Sequence, residues 1–175
     1  MCNRILLLFL STLLVSCATF NAPLDVKLDS SAGKGVAVFS LTSKGALSNF
    51  NINFRAVSGE TDGEITQWTL VDTLDWEGAI KGRLVTLELP EGDYELYKLR
   101  APYISSKDNF SIPFTVAAGK VVYFGNVDVV FPTRSFFAIK VTEKSDRDLE
   151  LLLNKYKNLS NDGIVTSISS FNKGA

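Results

Sequence analysis

Three carboxylates that lie close together, Asp72, Asp75 and Glu77, are the first side chains whose types and spacing could do chemistry. Oxygen ligands at this spacing could hold Ca²⁺, although an Asp/Asn-rich loop with a closing Glu is missing. Asp72 and Glu77 could also form a glycosidase pair, which needs about 5 to 9 Å between two carboxyl groups across a groove. A solvated acidic loop is the simpler interpretation. We therefore expect no metal and no cofactor.

Aromatic side chains offer a second kind of site, a platform for a glycan or a peptide. The candidates are Trp68, Trp76, Tyr97, Tyr103, Phe136 and Phe137. Trp76 and Tyr103 fall in predicted loops and are the better surface contacts, because loops carry much of the function of β proteins. Trp68 falls on an alternating strand, so we expect it in the core.

Histidine is absent, and the cysteines are Cys2 and Cys17 alone. The missing imidazole excludes Ser-His-Asp, Cys-His and His-based metal chemistry. The 18 basic residues nearly balance the 19 acidic ones, which argues against a nucleic-acid partner. We expect a protein that is not an enzyme, and a carboxylate-based hydrolase acting on an envelope glycan remains the enzymatic alternative.

The amino-terminal residues have the form of an export signal. Arg4 precedes an apolar run, Ile5 to Leu14, that is too short to span a bilayer but has the length of a signal-peptide core. The alternatives are an ordinary secretory signal, which would end in an Ala-x-Ala-like site, and a short membrane helix. The helix would need about 20 apolar residues, and Asn21 follows too soon.

The sequence Leu14-Val15-Ser16-Cys17 resembles the lipobox of bacterial lipoproteins. The resemblance implies that residues 1–16 form a signal peptide cut between Ser16 and Cys17. It also implies a diacylglyceryl thioether on Cys17 and usually a third acyl chain. Because Ala18 replaces the Asp that retains such proteins in the inner membrane, we expect a lipid anchor in the Gram-negative outer membrane, with the domain on the periplasmic face.

The rest of the chain divides into three parts. Residues 17–34 contain Asn21, Pro23, Ser30, Ser31 and Gly33 and predict a flexible tether. Residues 35–168 predict one β-rich domain, and residues 169–175 a frayed tail.

Alternating apolar residues and turn signals predict the strands of this domain. Phe50 to Val57 is the clearest, with aromatic and aliphatic residues at every second position. The spacing of the turns, for example at Pro90-Glu91-Gly92-Asp93, predicts an antiparallel β-sandwich of about seven or eight strands. The predicted strands are 36–42, 50–57, 65–71, 83–89, 94–100, 110–116, 121–131 and 136–142, with a short closing strand at 164–168.

The period then changes to that of a helix. Ser145 is the expected N-cap, and Leu149, Leu152, Leu153 and Tyr156 form one apolar stripe. The pattern predicts a C-terminal amphipathic helix near 146–157 that packs on the sheet.

Two motifs carry a further resemblance. The turn Leu87-Glu88-Leu89-Pro90-Glu91-Gly92-Asp93-Tyr94-Glu95-Leu96 resembles that of transthyretin-like and carboxypeptidase-regulatory-like β-sandwiches, with Tyr94 as a tyrosine corner whose hydroxyl returns to the preceding backbone. Phe114 to Gly125 and Asp146-Arg147-Asp148-Leu149 resemble uncharacterised lipoproteins with a prealbumin-like domain. The resemblance implies a fold and a location, and no enzymatic activity.

Together these patterns lead us to expect a non-enzymatic binding or scaffolding module of the cell envelope. Its partners would be the membrane, through the lipid anchor, and an envelope protein or a cell-wall glycan. The alternative is an accessory subunit of an envelope assembly machine.

Overall fold

The computed structural model describes residues 20–68, 74–106, 110–169 and 171–174. Ser16, Cys17 and Asp72 therefore lie outside the described residues. Within the described ranges the chain forms one α-helix, α1 (Ser145–Lys155), and eleven strands. The strands are β1 (Lys34–Gly45), β2 (Phe50–Ala56), β3 (Asp62–Gln67), β4 (Lys81–Pro90), β5 (Gly92–Ala101), β6 (Ile104–Ser105), β7 (Ile112–Val116), β8 (Val121–Thr133), β9 (Phe136–Thr142), β10 (Ile164–Thr166) and β11 (Asn172–Gly174). The single helix of this part of the chain is not long and apolar enough to span a bilayer.

The strands form two sheets, which confirms the prediction of a mainly β domain. The first sheet has the order β11-β9-β8-β1-β4, with β10 also paired to β8, and the second has the order β3-β2-β5-β6, with β7 also paired to β5. β1 and β10 both run parallel to β8, so the first sheet is mixed rather than antiparallel as predicted. The sequence did not predict the short strands β6 and β11.

The main core lies between the two sheets and follows from the period of two. On β2, Phe50, Ile52 and Phe54 are buried, and they pack with the inward residues of β1, such as Phe39 and Leu41. Burial of these alternating apolar side chains stabilises the folded state by about 25 cal/mol per Å² of apolar surface removed from water. The alternation predicted for β2 is confirmed.

The turn between β4 and β5 has the predicted tyrosine corner. The Tyr94 hydroxyl donates a hydrogen bond to the Pro90 carbonyl oxygen at 2.9 Å. Burial raises the pKa of Tyr94, so the hydroxyl keeps its proton and remains a donor. This prediction is confirmed.

A second core covers the outer face of the first sheet. Leu152 of α1 and Tyr156, the residue that caps its carboxyl end, are buried there against Val38 and Val121, which confirms the predicted amphipathic helix. The predicted N-cap is wrong, because Lys144 occupies that position and Ser145 is already helical. The carboxylate of Glu143 accepts the Ser145 N–H at 2.7 Å and also the Ser145 hydroxyl, and these bonds lower the pKa of Glu143.

The segment predicted as a flexible tether is packed from Phe20 onward. Phe20 and Ala22 exchange backbone hydrogen bonds with β4, at Glu88 (2.8 Å) and Thr86 (2.9 Å). Ala22 and Val26 are buried in the second core. The sequence prediction gave too much weight to the Pro, Ser and Gly residues, because Phe20, Ala22, Leu24, Val26 and Leu28 alternate with polar residues as in a strand. Phe20 and Ala22 cover the open edge of β4.

The tail predicted to be frayed also pairs. β11 adds antiparallel to β9, and the Phe171 ring lies 5.9 Å from that of Phe110. A single aromatic residue gives no periodic signal, so the sequence could not indicate this pairing.

Gly125 forms a β-bulge in β8. Val38 opposes Tyr123 whereas Ser40 opposes Asn126, so β8 has one more residue than β1 between these pairs. Gly125 has φ +120°, a conformation that L side chains rarely adopt. The extra residue shifts the alternation, so that Tyr123 and Asn126 both face α1.

Gly125→Ala should lower the free energy of unfolding by about 2 to 3 kcal/mol. The added Cβ would lie 2.8 Å from Val141 Cγ1, at a strained φ. Gly163→Ala is the control, because its Cβ would make an ordinary contact 3.4 Å from Leu28 Cδ1. Urea denaturation measures both variants, and equal losses would show that the bulge does not need glycine.

The two sheets share one long axis with two distinct ends. The upper end comprises the starts of β1 and β8 and the turn between β4 and β5. Lys34 pairs with Pro90 there, and Val36 pairs with Val121. It also includes the β2–β3 loop, 57–61. The lower end holds the end of β1 at Gly45, the β5–β6 turn, the β8–β9 turn and the connection 74–80 before β4.

Candidate functional site

A buried polar network joins α1 to the first sheet. Its members are Ser40 of β1, Tyr123 and Asn126 of β8, and Asp148 of α1. The bulge at Gly125 brings the two β8 residues to the same face. Ser40, Tyr123 and Asp148 are each fully buried, at 0% exposure.

Both carboxylate oxygens of Asp148 are hydrogen-bonded. Oδ2 lies 2.7 Å from the Tyr123 hydroxyl and 2.5 Å from Ser40 Oγ. Oδ1 accepts a hydrogen bond from Arg147 Nε at 2.7 Å and forms an ion pair with Arg147 Nη2, also at 2.7 Å. Ser40 Oγ also lies 2.8 Å from Asn126 Oδ1, so its single proton serves one of these two acceptors at a time. Charge-assisted bonds of this kind are stronger than neutral ones.

Arg147 connects the network to the surface. Its Nη2 donates to Ser40 Oγ at 2.9 Å and to Asn126 Oδ1 at 3.0 Å. On its outer side the guanidinium lies 4.1 Å from the centroid of the Trp76 ring, a cation–π contact. Trp76, which the sequence indicated as a surface contact, is therefore half-buried and packs in the second core.

This network serves the fold rather than a reaction. Burial, and secondarily the Asp148 carboxylate, raise the pKa of Tyr123, so its hydroxyl stays protonated and acts as a donor. A substrate cannot touch Ser40 or Asp148 while both have no exposed surface. A fully satisfied polar network instead fixes one arrangement of the elements that it joins.

The acidic cluster of the sequence is only partly described. Asp72 lies outside the described residues, and Glu77 is exposed. Asp75 accepts the Leu84 N–H at 2.7 Å and pairs with Lys155 of α1. It thus holds the connection before β4 against the helix. In the described ranges no group of three or more His, Cys, Asp or Glu side chains is placed to hold a metal ion.

The exposed aromatic side chains of the lower end form the candidate site. They come from three separate connections, which the strand register brings to the same end. Tyr103 is 67% exposed in the β5–β6 turn, Trp68 is 48% exposed after β3, and Phe136 is 39% exposed at the start of β9. The Arg134 guanidinium lies 5.8 Å from the centroid of the Tyr103 ring.

Charge also distinguishes this end. Lys44, Arg100 and Arg134 are exposed there, and Glu77 is the one exposed carboxylate among the described residues of the lower end. We call Trp68, Tyr103, Arg134 and Phe136 the aromatic end. An exposed set of aromatic and basic side chains is typical of a contact surface.

Sequence reasoning found part of this surface. Tyr103 is placed on it as predicted, whereas Trp68 was expected in the core and is half-exposed because β3 ends at Gln67. Arg134 was missed, since it lies in an ordinary turn whose neighbour, Tyr103, is distant in sequence. Cys17 and Ser16 lie outside the described residues.

Comparisons with known proteins add little. No protein-family model matches the chain, and no curated protein matches it. A leucine-rich repeat protein from Bacteroides thetaiotaomicron VPI-5482 is similar over 56% of this chain, with 15% sequence identity and a TM-score of 0.37. This chain spans 14% of the length of that protein.

Proposed function

We propose that this protein is a non-enzymatic binding module of the bacterial envelope, anchored by a lipidated Cys17 to the outer membrane, which binds a protein partner through the aromatic end. A transthyretin-like β-sandwich is part of the proposal. The exposed aromatic end is the observation that supports binding, and the sequence Leu14-Val15-Ser16-Cys17 supports anchoring.

The anchor rests on the export signal of the sequence. Burying each acyl methylene contributes about 0.8 kcal/mol, so two or three chains make release from a membrane very slow. Because Cys2 would leave with the signal peptide and Cys17 would be acylated, the domain keeps no thiol for catalysis.

The non-enzymatic role rests on how the reactive side chains are used. The Ser40–Asp148 pair is sealed inside the fold. Asp75 is engaged by the Leu84 N–H and Lys155, which leaves the described part of the acidic cluster without two free carboxylates facing each other.

The residue types of the aromatic end favour a protein partner over a glycan. Trp, Tyr and Arg are the residues most enriched where protein interfaces gain most of their binding energy. Trp68, Tyr103 and Arg134 present all three types at one end. The exposed basic groups favour a partner surface with acidic residues.

A photo-crosslinking residue at position 103 tests this proposal in intact cells. Irradiation should give a discrete protein adduct, identified by mass spectrometry. Val57 is a matched control at the upper end, since it is 66% exposed against 67% for Tyr103. Replacing Phe136 by Ser in the position-103 protein should reduce the yield of the adduct.

The outcomes distinguish a protein partner at the aromatic end from non-specific contact and from a glycan. A protein adduct from position 103 and none from position 57 supports binding through the aromatic end. Equal adducts from both positions, or none from either, would contradict it. An adduct that shrinks on muramidase digestion would assign the end to cell-wall glycan instead.

A further inference from the structure

We infer that the upper end of this domain is held against the lipid surface, so that the aromatic end points away from the membrane. The inference rests on the proposed lipid anchor at Cys17 and adds the orientation and the surface involved. It follows from where the packed chain begins and in which direction it runs.

The amino-terminal segment is fixed to the domain at several points. Apart from its hydrogen bonds to β4, the Phe20 ring packs edge-on against Phe54, with centroids 5.3 Å apart. The Tyr156 hydroxyl donates to the Ala22 carbonyl at 3.2 Å. The Asn158 amide donates to the Val26 carbonyl. Such contacts from both sheets and the carboxy-terminal region leave Phe20 little freedom.

The link from the acylated residue to Phe20 is therefore short. Three peptide units separate Cys17 from Phe20, and consecutive Cα atoms are 3.8 Å apart, so the link reaches about 11 Å at most. The twelve residues of β1 extend for about 40 Å. Because the link is much shorter than β1, the lipid anchor keeps one end of the domain close to the bilayer and the other end distant from it.

The direction of the chain decides which part this is. The segment runs antiparallel to β4, with Phe20 opposite Glu88 and Ala22 opposite Thr86. Going backward along the chain from Phe20 therefore leads toward Pro90, which lies at the upper end. The lower end, with Tyr103 and Arg134, lies at the opposite end of the strands.

The charge of the upper end does not by itself attract this end to a membrane. Val57 is a largely exposed apolar side chain there. Among the described residues, exposed acids at this end include Asp29, Glu60, Asp62, Glu91, Asp93 and Asp162, and exposed bases include Lys34, Arg55 and Lys120. This excess of acid gives no attraction to anionic lipids, so the tether rather than the surface charge brings the end to the membrane.

Single-cysteine labelling of the lipidated protein tests the orientation. Ser58→Cys at the upper end and Ser135→Cys at the lower end are matched, since both replace an exposed serine in a loop or turn. Each variant is labelled with a thiol-reactive fluorophore and reconstituted in phosphatidylcholine vesicles that contain a headgroup-spin-labelled lipid. Quenching at position 58 should exceed that at position 135 severalfold.

A lengthened tether is the control. Twelve Gly and Ser residues inserted between Thr19 and Phe20 give a coil of about 20 Å, which should largely remove the difference. Protein that fails to float with the vesicles would overturn the lipid anchor itself. Protein that floats but is quenched equally at positions 58 and 135 would overturn the orientation alone.

Discussion

Asp148→Asn should lower the free energy of unfolding by about 3 kcal/mol. The buried carboxylate accepts hydrogen bonds from Tyr123, Ser40 and Arg147. In the variant, the amide nitrogen would replace one carboxylate oxygen and would face a hydrogen-bond donor. The negative charge that balances Arg147 would also be lost. For a domain of this size the loss corresponds to a fall in Tm of about 10 °C.

Asp146→Asn is the matched control, because Asp146 is exposed on the same turn of α1. Its effect should stay within about 0.5 kcal/mol. Urea denaturation of the acyl-free protein measures both variants. Equal changes for the two would show that the network under α1 does not hold the helix to the sheet.

Cys17→Ala should move the protein from the membrane fraction to the soluble fraction. The variant cannot form the thioether, so the acyl chains that supply the membrane affinity are never attached. Its thermal unfolding should match that of the acyl-free wild-type domain, because in the described part of the chain both cores begin at Phe20 or later. Sucrose-gradient flotation of cell membranes makes the measurement.

Cys2→Ala provides the comparison for this experiment. Cys2 would be removed with residues 1–16, so its replacement should leave flotation unchanged. Flotation of the Cys17→Ala protein together with membranes would refute the anchor, and so would equal loss of flotation in the two variants.

The strand framework could be predicted because its signals are local. Alternation on β2 and the turn before Tyr94 both appear within ten residues of sequence, and both are confirmed. The helix α1 was predictable for the same reason, from a stripe at positions 149, 152, 153 and 156.

The features that the sequence did not predict depend on contacts between distant residues. Asp148 has the appearance of an ordinary acid in the first turn of a helix, and only the bulge at Gly125 places Tyr123 and Asn126 beside it. The aromatic end is similar, since Arg134 and Tyr103 meet through the register of two different sheets.

The amino-acid composition of the amino-terminal segment did not predict that this segment packs on the domain. Residues 20–33 contain the Pro, Ser and Gly residues typical of a linker, yet Ala22 and Val26 are buried. The Ala22 N–H bonds to Thr86 on the edge of β4, whereas the backbone of Val26 bonds to Pro23 and to the Asn158 side chain. The partners Thr86 and Asn158 are distant in sequence.

The mass of the protein extracted from membranes tests the central claim, lipid anchoring at Cys17, most directly. The account predicts a chain that starts at Cys17 and carries a diacylglyceryl group and a further acyl chain, with the added mass located by fragmentation on the first residue. A membrane-extracted chain that starts elsewhere, or whose Cys17 is unmodified, would contradict the account.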